Sequence, residues 1–272
     1  MTDKEIQQLA RQLDGFETLI ETHISWVLLG QHYAWKIKKP MKYTFLDFSQ
    51  VEKREEICWK EVQLNRRLAP DVYLDVAKVC QLDNELVLLD SNCSCQNILD
   101  YAVKMRRLDA SLEMDKQLAA GNIKTSDIEV LANIVAKFHQ KAKVISSAKQ
   151  GDAKIYQNDF NDILGQTEVF NAVSPDAIQD LETTVAISDA FLASHSKLIK
   201  TRLAAGFVRD VHGDLHARNV FAYPTPIIFD CIEFNDHFRQ IDVLNEIAFF
   251  CMDLEANGFD ALSESFLSTY LQ

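Results

Sequence analysis

Asp214, Asn219 and Asp230 are the side chains whose types and spacing could do chemistry together. They lie in V-H-G-D-L-H-A-R-N-V-F-A-Y-P-T-P-I-I-F-D-C-I-E-F, which runs from Val211 to Phe234. Two apolar runs, Val220-Phe221-Ala222 and Ile227-Ile228-Phe229, flank Tyr223-Pro224-Thr225-Pro226, whose prolines suit a turn and cannot serve a central strand. The pattern predicts a β-hairpin. With those four residues as the loop, Ala222 pairs with Ile227, Phe221 with Ile228, Val220 with Phe229, and Asn219 with Asp230. Opposed residues of an antiparallel pair have Cα atoms about 4.5 to 5.5 Å apart and side chains on one face, so an amide oxygen and a carboxylate would converge at the hairpin's open end. Mg²⁺ takes hard oxygen ligands, usually one or two carboxylates plus substrate phosphates, and Asn219 with Asp230 could supply such a clamp. Asp214, one turn of loop away, would stay clear of the metal and could accept a proton from a hydroxyl. The plain alternative is that H-G-D is only a turn and Asp230 only a cap.

The rest of the chain must position these groups. At 272 residues and 47% hydrophobic it can bury a sizeable core, as one large domain or two lobes. No stretch of 18 apolar residues and no basic, apolar leader appears, so neither a membrane partner nor secretion is expected. Six cysteines follow no C-x-x-C pattern, and a chain of this size does not need disulfides, so a reducing cytoplasm is the expected location. A net charge of −12 argues against nucleic acid as a partner. Through Leu108 there are 15 basic and 16 acidic residues, and beyond it 13 and 24, so the second half carries nearly all the acidity. A cationic or polyhydroxylated small substrate would be attracted there, and solvated helix faces explain the same count.

Residues 3 to 14 show a modest helical pattern. Ile24 to Leu29 reads as a strand, Gly30-Gln31-His32 as a turn, and Tyr33 to Lys38 as a second strand with Ala34, Lys36 and Lys38 on one face. Ser49-Gln50-Val51-Glu52 is a capping-box pattern that opens a helix ending before Pro70. Ile57, Glu61, Leu64 and Leu68 recur at helical spacing, which places Glu61 on the apolar stripe. A carboxylate there is costly without a partner, and Lys36 is the candidate; Glu55 and Glu56 are the alternatives to Glu61. Val72 to Val79, Glu85 to Leu89 and Tyr101 to Met105 read as further strands. Beyond Leu108 the patterns are mainly helical, over Ser126 to Lys143, around Asp159 to Val169, over Pro175 to Leu203 and near Ile247 to Met252. Asp242 reads as a helix cap, with anchoring of the metal loop as the alternative.

Taken in order, Y-A-W-K at 33 to 36, Glu61, H-G-D-L-H-A-R-N at 212 to 219 and I-F-D-C-I-E-F at 228 to 234 resemble the aminoglycoside phosphotransferase-like branch of the protein-kinase-like superfamily. The resemblance covers most of the chain. Asp214 and Asn219 have the spacing of the kinase loop H-R-D-x-x-x-x-N, with Gly213 where protein kinases have Arg, and Y-A-W-K resembles V-A-I-K. Tyr101-Ala102-Val103-Lys104 is a competing match, but it follows the Glu61 helix instead of preceding it.

The resemblance implies an α+β, two-lobed kinase-like fold. Residues 1–108 would form a small antiparallel-sheet lobe, and 109–272 a mostly helical lobe carrying the catalytic loop, the metal loop and the acceptor site. It implies ATP with Mg²⁺ in a cleft and phosphate transfer to a hydroxyl of a small molecule, aminoglycoside-like or another alcohol. Asp214 would be the base, Asn219 and Asp230 the metal ligands, Lys36 with Glu61 the phosphate-positioning pair, and Met105 a residue lying against the adenine. There is no G-x-G-x-x-G before Tyr33, and Cys231-Ile232 stands where kinases have Phe-Gly. Relatives of this type can carry a P-loop domain after the kinase-like part; no G-x-x-x-x-G-K-[ST] occurs here, which implies a short member or a fragment. Two other functions compete: a regulatory nucleotide-binding module without catalysis, and a metallohydrolase using His212, Asp214 and His216.

Overall fold

Alternating side chains in the first hundred residues build a six-stranded antiparallel sheet. In the computed structural model, which describes residues 1–13, 15–164 and 175–272, the strands are β1 (Phe16–Glu21), β2 (Ser25–Gly30), β3 (Tyr33–Lys38), β4 (Tyr73–Leu82), β5 (Glu85–Leu89) and β6 (Ile98–Arg106). Their order is β1-β2-β3-β6-β4-β5, and every neighbouring pair is antiparallel. Because β3 and β6 are central, the side chains of β3 are covered on both faces. One face carries Trp26, Leu28, Trp35, Ile37, Ala77 and Ala102 and packs against α1 (Asp3–Gln12), which a Thr2–Glu5 capping box starts.

The other face carries Ala34, Tyr73, Val76, Val103 and Met105 and packs against α2 (Val51–Asn65) through Cys58 and Val62. Burying each such large apolar side chain contributes about 1.5 to 3 kcal/mol. Arg54 adds a buried two-pronged bond from α2 to Asp100 of β6, at 2.9 Å on both prongs. The start of α2 differs from expectation. Gln50 is its N-cap and makes no side-chain cap bond, because Ser49 turns to Asp47, whose carboxylate accepts from its hydroxyl at 2.6 Å and its N–H at 3.1 Å. A disulfide joins Cys80 of β4 to Cys95, where the sequence pattern called for no pairing. These residues are fifteen positions apart, and β4, β5 and the return towards β6 bring them together.

The remainder is mainly helical, so the chain is α+β with its sheet towards the N-terminus. In order come α3 (Met114–Ala119), α4 (Thr125–Lys141), α5 (Ala153–Leu164), α6 (Pro175–Ala204), β7 (Val208–Asp210), β8 (Val220–Phe221), β9 (Ile227–Ile228), α7 (Asp236–Arg239), β10 (Gln240–Asp242), α8 (Val243–Ala256) and α9 (Asp260–Tyr270). Of the helical stretch expected around 159 to 169, the part beyond 164 lies outside the described residues.

Two compact units form. One comprises 1–140, 212–239 and 246–272, and the other 141–211 and 240–245, so the helical half expected over 109–272 contributes to both. In the second unit β7 pairs with β10, and Arg202 bonds Asp242 at 2.6 and 2.8 Å. In the first, Met114, Leu131, Val135, Ile247, Phe250, Leu254 and Phe266 form a core that also takes Leu215, Ala217 and Val220 from the predicted catalytic stretch and Ile228 from β9. That burial fixes the loop between His212 and Asn219 from below. No described helix is long and apolar enough to cross a membrane.

Candidate functional site

The β8–β9 hairpin forms, but one residue out of the expected register. Val220 pairs with Ile228 and Phe221 with Ile227, and Phe229 N–H donates to Asn219 O at 3.1 Å. The loop is therefore five residues, 222 to 226. Ala222 cannot pair with Ile227 because its N–H is already given to Leu112 O at 2.7 Å. A slip of one residue sends side chains to opposite faces, so Asn219 and Asp230 do not converge by direct cross-strand pairing. The backbone of Asp230 instead turns left-handed, with φ of +63°, a conformation Asp tolerates better than most residues. Local strain of this kind is characteristic of functional sites.

Asp230 then meets the sheet. Lys36 Nζ lies 2.5 Å from Asp230 Oδ1 and 3.0 Å from Glu61 Oε1. Glu61, on the apolar stripe of α2, has no exposed surface, and its Oε2 lies 2.5 Å from Lys38 Nζ. Both Glu61 contacts are ionic, without the angles of directed hydrogen bonds. Burial acts to lower the Lys36 pKa, but Asp230 and Glu61 outweigh it and hold the ammonium well above its ordinary value. For Asp230 burial acts to raise the carboxyl and Lys36 pulls it below its usual range; with 39% of the side chain exposed, solvent moderates both influences. The competing Lys104 points to the other face and bonds Asp90 at 2.7 Å.

Asn219 and Asp214 make the second half of the constellation. Asn219 Nδ2 donates to Asp214 O at 2.9 Å and Asp214 Oδ2 at 3.0 Å. That orients the amide so that Oδ1 accepts nothing from the described residues. His212 links the two halves: its Nε2 donates to Phe229 O at 2.9 Å, and its Nδ1 accepts from Asp214 N–H at 3.2 Å. Those roles require the neutral ring, and burial, outweighing Glu246, lowers its pKa accordingly. His216 Nε2 lies 3.5 Å from Asp214 Oδ2, a contact that raises the imidazole pKa. With both His212 nitrogens committed, a His212–Asp214–His216 metal centre has lost one ligand; no group of three or more His, Cys, Asp or Glu among the described residues could hold a metal.

Met105 makes no polar link to these groups. It is buried opposite Ala34, in an apolar cluster that also takes Leu108, Ile227 and Phe229. It therefore joins an apolar wall on the face that carries Lys36.

Sequence reasoning missed the groups that hold the loops. Each backbone N–H from 230 to 232 is taken: Asp230 donates to Tyr73 Oη at 3.0 Å, Cys231 to Asn65 Oδ1 at 2.9 Å, and Ile232 to His212 O at 3.1 Å. Burial pushes the Cys231 thiol up to about 12, so it stays protonated at neutral pH. Glu246 of α8, also buried, accepts from the N–H groups of His212 at 2.8 Å and Gly213 at 2.6 Å. Its other oxygen meets His139 Nε2 at 2.6 Å, and His139 Nδ1 meets Tyr270 Oη at 2.8 Å. The anchor is thus Glu246, while Asp242 caps α8 through Leu244 N–H at 2.9 Å. The available signal was a lone carboxylate beside the apolar run from Ile247.

Gly213 has φ of +89°, and a Cβ there would lie 2.8 Å from Phe238 O and 3.1 Å from Arg239 Cα. Both neighbours are backbone and cannot swing aside. Gly213→Ala is expected to lower stability by roughly 1 to 3 kcal/mol, read as a shifted denaturation midpoint at unchanged slope.

No family model matches this chain. It is similar to three mycobacterial proteins: uncharacterized protein Mb2027c of Mycobacterium bovis, and uncharacterized proteins MT2060 and Rv2004c of two Mycobacterium tuberculosis strains. Each is 30% identical over 263 residues, covering 94% of this chain and 49% of the relative. The chain thus spans about half the length of the curated relatives it matches.

Proposed function

We propose that this chain is an ATP-dependent small-molecule phosphotransferase with a kinase-like site, moving the γ-phosphoryl group to a hydroxyl. The observation that carries the reading is the direct contact of Lys36 with Glu61 and with Asp230, which follows one strand of a hairpin whose other strand is preceded by Asn219, held against Asp214. Lys36 would hold phosphate oxygens, oriented by Glu61. Asp214 would take the acceptor's hydroxyl proton as the acceptor oxygen bonds the γ-phosphorus, and ADP would leave with the electrons of the broken P–O bond. The oxygen donors fit Mg²⁺: Asn219 Oδ1 and Asp230 Oδ2 accept no hydrogen bond from the described residues, and one carboxylate with one amide oxygen leaves room for phosphates. The chemistry Mg²⁺ supplies, when bound, is neutralisation of charge across the β- and γ-phosphate oxygens.

Mg-ATP is expected to raise the melting temperature, corresponding to about 2.7 kcal/mol when present at a hundred times its Kd. EDTA or Asp230→Asn should remove the Mg²⁺-dependent part. No stabilisation at any nucleotide concentration would count against the proposal. Turnover is tested by ATP consumption against a panel of cationic and neutral alcohols. A regulatory nucleotide-binding module is the second reading, favoured by a β2–β3 turn, Gln31-His32, that holds no glycine, Gly30 being the last residue of β2. Mg-ATP binding without transfer to any alcohol of the panel would select it.

A further inference from the structure

Two residues beyond Lys36, on the same face of β3, Lys38 is buried with no exposed surface. Its ammonium contacts Glu61 Oε2 at 2.5 Å and Glu233 Oε1, and Glu233 is itself 3% exposed. A group with no accessible surface cannot receive a phosphate, so Lys38 is not a second copy of Lys36. What it touches is informative: one carboxylate from α2, and one three residues past Asp230.

Lys36, Lys38, Glu61, Asp230 and Glu233 form one chain of contacts, running Asp230 to Lys36 to Glu61 to Lys38 to Glu233. Glu61 is its centre, with one oxygen turned to each lysine. If Lys38 were absent, Glu61 could rotate about its side-chain bonds and Lys36 would lose a fixed counter-ion. With Lys38 present, only Oε1 is left to Lys36, so the direction of Lys36 is dictated from behind. Asn65 reinforces the tie, taking Cys231 N–H on its amide oxygen while its Nδ2 donates to Glu61 O at 3.0 Å.

We propose that Lys38 and Glu233 are positioning residues that lock α2 to the segment carrying Asp230, so that the Lys36–Glu61 pair is assembled before nucleotide arrives. The inference rests on the phosphotransferase reading and adds a property to it: this site needs no swing of α2 to become competent. Residues that orient the groups in direct contact with a metal or substrate typically contribute 10- to 100-fold to affinity or activity.

The test uses the full chain and the double variant Lys38→Met, Glu233→Gln, which removes one buried charge of each sign. Mg-ATP affinity, KM for ATP, kcat and the melting curve are measured beside wild type. The double variant is expected to melt cooperatively and to bind Mg-ATP about tenfold or more weakly, with KM for ATP raised in step. Wild-type affinity in the double variant overturns the inference. So does a single Lys38→Met that loses both stability and affinity while the double variant recovers both, since Lys38 would then only neutralise Glu233.

Hydrogen exchange of α2 in the wild-type chain gives a readout that does not depend on how the variants fold. Amides of 51–65 should gain no more protection on Mg-ATP addition than the central-strand amides of β3 and β6, which report the global stabilisation, and a larger gain in α2 overturns the lock. A wild-type chain that binds no Mg-ATP overturns the phosphotransferase reading, and this inference with it. Wild-type-like binding by the double variant overturns the inference alone.

Discussion

Asp214→Asn is expected to lower kcat by about 10²- to 10⁴-fold, the usual contribution of a positioned general base, while Mg-ATP binding stays near wild type. The substitution keeps the shape of the side chain and its place beside Asn219, whose Nδ2 lies 3.0 Å from Asp214 Oδ2. It removes the carboxylate that would accept a proton. Asp214 Oδ1 has no partner among the described residues, and 42% of the side chain is exposed, so an acceptor can reach it. Single-turnover phosphate transfer and nucleotide titration, made on the same preparation, separate the two effects. Full turnover in the variant would remove Asp214 from the role of base.

Glu246→Ala is the second large effect, on stability. It strips the buried N–H groups of His212 and Gly213 of their acceptor and leaves His139 Nε2 without its carboxylate. Breaking a buried charged network from one side typically costs about 3 to 5 kcal/mol, and unmade buried hydrogen bonds are part of that cost. Glu246→Gln should be milder, because an amide oxygen can still receive the two N–H groups. The two variants should also differ in pH dependence. Burial acts to raise the Glu246 carboxyl, but its bond to His139 and the backbone N–H groups outweigh this and hold it below the ordinary 4.5.

A carboxyl lowered on folding is protonated first in the unfolded chain. Its stabilisation is therefore complete above pH 4.5 and is lost as pH falls from there through the folded value. Denaturant curves from pH 7 to pH 3 should show the gap between wild type and Glu246→Gln closing below pH 4.5. A gap independent of pH would mean that the Glu246 carboxylate does not carry this stabilisation.

What could be read beforehand was local or periodic. Glu61 stood out because a carboxylate on an apolar stripe demands a cation, and the alternation of Tyr33 to Lys38 put Lys36 on a matching face. Five of the six strands followed from β-rich runs and turn residues in the same way; β1, Phe16–Glu21, was not among them. The hairpin register could not be read, since it depends on Ala222 giving its N–H to Leu112, roughly a hundred and ten positions earlier in the chain. Nor could the left-handed turn at Asp230, because Asp occupies that conformation only where its surroundings enforce it. The Glu246 anchor escaped for a related reason: its partners are backbone groups more than thirty residues away, and backbone N–H groups carry no residue identity.

Two of the bonds described above join positions very far apart along the polypeptide: Lys36 to Asp230 across 194 residues, and Lys38 to Glu233 across 195. Closing loops of that size carries a large entropic penalty, offset only once the intervening pieces are already ordered. Refolding from denaturant should accordingly restore secondary structure before nucleotide affinity, with the binding competence appearing in the slowest phase. A nascent chain that has not yet reached Asp230 and Glu233 leaves Lys36 and Lys38 without those carboxylates and is expected to bind no nucleotide.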